Sequence, residues 1–169
     1  MDFDKPPEGA FSTFLLAQVG AHAARRFAER LEPLGMTPAQ AGILRMLARV
    51  GGLSQRDLAA RLGMHPSRLV ALLDEMETAG LLVREAHPED RRLYSLQLTA
   101  AGRERMGELG RIARRHNEDL CSALTPEERA QLEALLNRMA QQQGLTPGVH
   151  PGYSSLGKGA GRPGKPGTP

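Results

Sequence analysis

Residues 53–99 constrain the fold more than any other part of this chain. Ser54-Gln55-Arg56-Asp57 opens a short helix, with a serine cap and an acidic residue three positions on. Leu58, Ala59 and Leu62 fall on its inner face, and Gly63 permits a tight turn. His65-Pro66 opens a second helix, because proline suits a first helical turn. Its Leu69, Leu72, Leu73 and Met76 are spaced i, i+3, i+4, i+7 and form one apolar stripe. Ser67, Arg68, Ala71, Glu75 and Thr78 take the opposite surface, and Gly80 stops the helix. A strand over 81–85, a turn His87-Pro88-Glu89-Asp90 and a strand over 93–98 follow. The second strand alternates, with Tyr94, Leu96 and Leu98 on one face and Ser95 and Gln97 on the other. Helix, tight turn, helix and hairpin is the order of a winged helix-turn-helix, which places one helix in the DNA major groove and a hairpin beside it. The expected fold class is mainly α with a small β-hairpin wing.

The remaining segments read as a scaffold for that module. Residues 1–9 form a loose arm. Phe11, Leu15, Val19, His22/Ala23 and Phe27 recur at helical spacing over 10–31, and Pro33 and Gly35 end that helix. Thr37-Pro38-Ala39-Gln40 is a capping box, opening a helix to about Arg49 with Ile43, Leu44 and Leu47 inward. Thr99 caps a long fifth helix to about Ala123, whose stripe is Met106, Leu109, Ala113, His116 and Leu120. Thr125-Pro126-Glu127-Glu128 opens a sixth helix, expected to bury Leu132, Leu135, Leu136 and Met139. From Gly144 onward Gly, Pro and Ser dominate, so residues 144–169 are expected to be a disordered basic tail.

Charge matters here by its location. The formal net charge is +3, and Lys158, Arg162 and Lys165 in the tail account for all of it. Residues 1–143 carry 19 basic and 19 acidic residues and are neutral. The basic tail reads either as an inert extension or as a source of nonspecific attraction to DNA. The single Cys121 excludes an intrachain disulfide framework. The acidic N-terminus suggests no secretion signal, and no apolar run approaches the roughly 20 residues of a membrane span. A cytoplasmic protein with no membrane partner is expected. No nucleophile–base spacing or phosphate loop points to an enzyme, and the five histidines show no metal-ligand clustering. No cofactor or metal is expected.

Three groups of residues carry a family resemblance: Leu53-Ser54-Gln55-Arg56-Asp57-Leu58-Ala59; Ser67-Arg68-Leu69-Val70 through Glu77-Thr78-Ala79-Gly80-Leu81; and Pro88-Glu89-Asp90-Arg91-Arg92 followed by Leu98-Thr99-Ala100-Ala101-Gly102-Arg103. With the order of helices, they make residues 10–143 resemble the MarR family of bacterial transcriptional regulators. The resemblance implies a winged helix-turn-helix over 37–99, flanked by dimerisation helices over 10–35 and 100–143. It implies a homodimer on pseudo-palindromic double-stranded DNA, with binding often controlled by a small-molecule effector or an oxidant. The expected function is a DNA-binding regulator, a repressor released by a ligand. The alternative is a winged-helix protein that acts through protein contacts.

The candidate DNA-binding residues follow. A recognition helix meets base edges through small or hydrogen-bonding residues at its N-terminal end, and Ser67, Arg68 and His65 stand there; helix capping is the other role open to Ser67 and His65. Arg56 and Arg61 would lie near the DNA backbone, where they can neutralise phosphates; a solvated surface role is the other reading open to them. In the family a wing arginine enters the minor groove, where narrow grooves attract cations. By position after Asp90, Arg92 is the first choice and Arg91 the second, with Asp90 orienting one of them. Ala71 and Glu75 depart from the family's basic or polar residues, which concentrates readout on the first turn. His22 and His116 are expected on inward stripes, either as packed core or lining a ligand pocket at the dimer junction. Cys121, placed in the fifth helix, is read as a buried inert thiol; family members that sense oxidants carry theirs in the first helix, and nothing here matches it.

Overall fold

The computed structural model describes residues 11–86 and 94–150. Among them the chain forms α1 (Phe11–Leu31), a 3-10 turn (Glu32–Leu34), α2 (Pro38–Arg49), β1 (Leu53–Ser54), α3 (Gln55–Leu62), α4 (Pro66–Thr78), β2 (Leu82–Ala86), β3 (Tyr94–Leu98), α5 (Ala100–Leu120) and α6 (Pro126–Gln142). The protein is thus mainly helical with one small antiparallel sheet. Every anticipated helix and both strands of the hairpin are present, β1 and the 3-10 turn are additions, and the turn expected at His87–Asp90 lies outside the described residues.

Local chemistry sets the boundaries. Thr37 Oγ1 accepts from the Gln40 N–H, and Gln40 Oε1 accepts from the Thr37 N–H at 2.9 Å. These bonds satisfy backbone groups that a helix start otherwise leaves unpaired. Ser54, Thr99 and Thr125 cap α3, α5 and α6 through the same side-chain bond to the third residue on. Gly63 ends α3 at φ +61°, so the Met64 N–H can donate back to the Ala59 carbonyl at 3.0 Å. A residue with a Cβ is strained in that conformation.

The core lies between α2, α3, α4 and the sheet. Leu31, Ile43, Leu44, Leu58, Leu69, Leu73, Met76, Leu82 and Leu96 are its most deeply buried side chains. The start of α5 is locked onto this unit. Thr99 Oγ1 accepts from the Gly102 N–H at 3.0 Å and donates to the Gly80 carbonyl at 2.6 Å. A Cβ at Gly102 would stand 2.0 Å from the Leu81 carbonyl oxygen. The Leu-Thr-x-x-Gly run is therefore a packing device: the threonine caps the helix, and the glycine lets it approach the chain entering β2.

Several expectations are corrected. The strand order is β1-β3-β2, with Ser54 opposite Ser95 and Glu85 opposite Ser95 on the other edge. Ser95, flanked on both sides, is 3% exposed, while Tyr94 at the strand's open end is 57% exposed. On α5, Ile112 packs against the core and Ala113 is exposed. This helix ends at Leu120, so Cys121 is its half-buried C-cap rather than a buried thiol within it.

The larger correction concerns α1 and α6. Leu132, Leu135, Leu136 and Met139 lie between 38% and 47% exposed, and Phe14, Leu15, Leu16 and Val19 on α1 are exposed as well. Their periodicity is real, but this chain's own core does not cover those faces. At the C-terminal end, residues 144–150 do not leave the fold as a loose tail. The Leu145 N–H donates to the Ala140 carbonyl at 3.0 Å, and Val149 packs against the core. Residues 151–169 and 1–10 lie outside the described residues. No described helix is long and apolar enough to cross a membrane.

Candidate nucleic-acid interface

The first turn of α4 carries no acidic residue. Its axial dipole makes that end favourable for phosphate or base acceptors. His65 is the N-cap residue by backbone conformation, yet its side chain makes no capping bond. Instead His65 Nδ1 and Ser67 Oγ share a hydrogen bond of 2.8 Å. Both side chains are exposed, so the bond orders two polar groups on the outer edge of the turn. Arg68 departs from expectation: it is half-buried, where a fully exposed side chain was anticipated.

The acidic residues of this helix, Asp74, Glu75 and Glu77, all lie beyond its first turn, and Glu75 accepts from Gln40 Nε2 at 3.0 Å. That glutamine also closes the capping box of α2. Glu75 thus ties the outer face of α4 to the start of α2, and the polar edge without acid is confined to the first turn.

An open cleft of about 1040 Å³ runs beside this turn. Arg56 and Gln55 from α3, Pro66 and Val70 from α4, and Tyr94 from the root of the wing line it. The structure therefore brings Arg56 to a cleft shared with the α4 N-terminus. Ser54 Oγ, by contrast, donates to Asp57 Oδ2 at 2.7 Å, which holds that carboxylate at the cap. Tyr94 and Val70 were not among the sequence candidates, because Tyr94 was read only as part of the strand's alternation and Val70 is apolar.

Asp90, Arg91 and Arg92, the expected wing residues, lie outside the described residues. The strands that carry them are described, and one contact there went unforeseen. The Arg84 guanidinium on β2 pairs with Asp74 at 2.5 Å and with Glu77, both on α4. Arg84 is only 18% exposed. No sequence signal identified the pair, since charged residues seven and ten apart look like separate solvent-facing groups.

His22 and His116 lie away from this face, where α1 meets α5. His22 is exposed rather than inward and approaches Arg25 at 3.2 Å. His116 is half-buried, its ring centroid 5.4 Å from that of Phe27. Burial, followed by the charge of Arg30, pushes its pKa below the ordinary histidine value, and Asp119 opposes them. Arg30 pairs with Asp119 across the helices. Arg30 Nε and His116 Nδ1 are both buried without a hydrogen-bond partner. Among the described residues, no group of three or more His, Cys, Asp or Glu could hold a metal ion.

Known proteins resemble this chain in sequence and in fold. The family model described as MarR family matches residues 34–93. A putative transcriptional regulatory protein for the hcr operon of Thauera aromatica is 34% identical over 126 residues, covering 74% of this chain and 76% of that protein. The transcriptional repressor CouR, solved bound to a 23-mer DNA duplex, superposes with TM-score 0.70 at 30% identity, covering 80% of this chain and 99% of that one. The MarR family protein Rv2887 of Mycobacterium tuberculosis, in complex with p-aminosalicylic acid, gives TM-score 0.64 at 27% identity, covering 76% and 98%.

Proposed function

The chain belongs to the MarR family, and from that premise we infer that it is a cytoplasmic, non-enzymatic transcriptional regulator. It binds pseudo-palindromic double-stranded DNA as a homodimer, represses, and is released by a small molecule. The observation that carries this reading is the acid-free first turn of α4. Its ordered His65–Ser67 pair sits beside a cleft shared with Arg56 and the wing root. His65, Ser67 and Arg68 are the base- and phosphate-facing residues of the major-groove helix. Arg56 neutralises the backbone. Arg92, or Arg91 after it, enters the minor groove, oriented by Asp90.

Dimerisation uses the uncovered apolar faces of α1 and α6, which a second copy would bury. Two recognition helices would then enter successive major grooves about 10 base pairs apart. The effector is received where α1 meets α5. There the unpartnered Arg30 Nε and His116 Nδ1, beside the Phe27 ring, suit a ligand with an acidic group and a flat apolar body. This agrees with the aromatic acid held by Rv2887. A ligand that favours one spacing of the two reading heads shifts the population away from the DNA-competent state.

The test is footprinting on the gene's own upstream region, with affinity measured against salt. A protected palindrome and a steep fall of affinity with salt are expected. Arg92→Ala should weaken binding by about 1–3 kcal/mol without altering dimerisation. Salt-independent, sequence-blind behaviour would sink this reading and favour a winged-helix protein acting through protein contacts.

A further inference from the structure

A second cationic surface adjoins the α4 face. Arg45 and Arg49 project from α2, which contains no acidic residue, and Arg61 lies in the last turn of α3. All three are exposed, and none makes an ion pair with a described carboxylate. The C-terminal segment 144–150 packs between them. A shallow depression of about 230 Å³ brings Leu145, Val149 and His150 against Arg61 and Gly63. On the other side, a Cβ at Gly148 would stand 2.5 Å from Arg45 Nη2 and 3.4 Å from Arg49 Nη1. Packing of Val149 against the core fixes this placement.

We propose that Arg45, Arg49, Arg61 and the docked segment ending at His150 form a phosphate-binding surface for DNA flanking the half-site. Three observations favour a duplex over another acidic partner. The patch is continuous with the reading head: Gly63 lines it, and His65 at the start of α4 is two residues on, within about 7 Å along the chain. A duplex held by α4 therefore passes close by. Sequence adds the second point, since residues 144–169 contain Lys158, Arg162 and Lys165 and no acidic residue. Those cations follow in sequence a segment whose described end, His150, lies at the α3–α4 turn. Third, the cations Arg45, Arg49 and Arg61 are arginines on helix surfaces, whose planar fork suits phosphate contact. The surface adds affinity and length to the footprint and no sequence preference. It rests on the DNA-binding reading above and extends it to residues that reading does not use.

The full-length chain is used for the test. Arg45→Gln, Arg49→Gln and Arg61→Gln are combined, and affinity for a duplex with long flanks is measured against salt. The slope of log K against log salt should become shallower by about two to three, at about 0.9 per lost phosphate contact. The same change is expected on unrelated sequence, with protection over the half-sites retained. A second variant, Lys158→Gln with Arg162→Gln and Lys165→Gln, should flatten the slope further. If the triple variant melts early, Arg61→Gln alone carries the test, with a change of about one. An unaltered slope in a chain that still binds its operator overturns this surface and leaves the α4 reading standing. Failure of the native chain to bind any duplex overturns both. If the slope is unaltered and the variant instead loses binding to polyglutamate, the partner is an acidic polypeptide and the DNA assignment falls.

Discussion

Arg84 joins the wing to the recognition helix through Glu77 by two contacts at once. Its backbone N–H donates to Glu77 Oε1 at 3.2 Å, while its guanidinium pairs with the other carboxylate oxygen. Asp74, one turn earlier on α4, takes the second arm of the fork at 2.5 Å. Because Arg84 is largely shielded from water, these contacts hold better than a surface ion pair. The angle between hairpin and helix is thus fixed before any DNA arrives, and ordering costs less on binding.

Arg84→Met is therefore expected to affect DNA binding more than folding. Stability should fall by about 1 kcal/mol, the usual net worth of such contacts. Specific affinity should fall about tenfold, equivalent to about 1.4 kcal/mol. Glu77→Gln keeps an acceptor for the Arg84 N–H and should cost less. Equal losses in melting and in binding for both variants would contradict the brace.

Gly102 and Gly107 make a paired prediction on one helix. Alanine at Gly102 meets the Leu81 carbonyl at 2.0 Å, backbone that cannot swing aside. Gly102→Ala should destabilise by about 1–3 kcal/mol despite alanine's better helix propensity. At Gly107 a Cβ would meet only Arg111 Nη1 at 4.0 Å, so Gly107→Ala should stabilise by about 0.5–1 kcal/mol. Thermal unfolding of both variants decides it, and similar shifts would refute the close approach.

His116 gives a pH dependence whose sign can be stated. Burial and Arg30 lower its pKa in the folded protein. In the interval below the ordinary value of about 6.5, the unfolded chain therefore binds the proton more readily. Its contribution to stability is present above that value and is lost as pH falls through the interval. Melting temperature should decline on acidification from pH 7, and His116→Gln should flatten that decline. A variant that keeps the native slope would assign it to other groups.

Val19→Glu on α1 and Leu135→Glu on α6 place charge on the exposed apolar faces. Each should convert a dimer to a monomer in sedimentation while the core of α2–α4 keeps its far-UV signal. Operator affinity should drop by about 100-fold with the loss of two-headed attachment. An unaltered sedimentation coefficient in both variants would place the dimer elsewhere.

Much of the fold was legible because its signals are short-ranged. Thr37 reaches Gln40, Ser54 reaches Asp57 and Thr99 reaches Gly102, each over three residues. Gly63 and Gly80 mark helix ends by conformation alone. Part of the site was legible for the same reason, since Pro66 fixes where α4 begins and which residues share its first turn. The Arg84 brace was not legible, nor was the role of Tyr94 in the cleft. Each depends on which element stands opposite across the fold.

The sequence by itself determined the order of helices and strands, their caps, and the polar first turn of α4, because these depend on bonds between near neighbours. Tertiary structure alone decided which apolar stripes became core. The stripe of α4 meets α3 and β2 and is buried, while the stripe of α6 meets no comparable face among the described residues and stays exposed. It also decided that Leu53–Ser54 would pair with β3, and that residues 144–150 would pack back onto the body. Periodicity defines a face, but burial needs a second surface at the right distance, and that surface comes from residues far away in sequence.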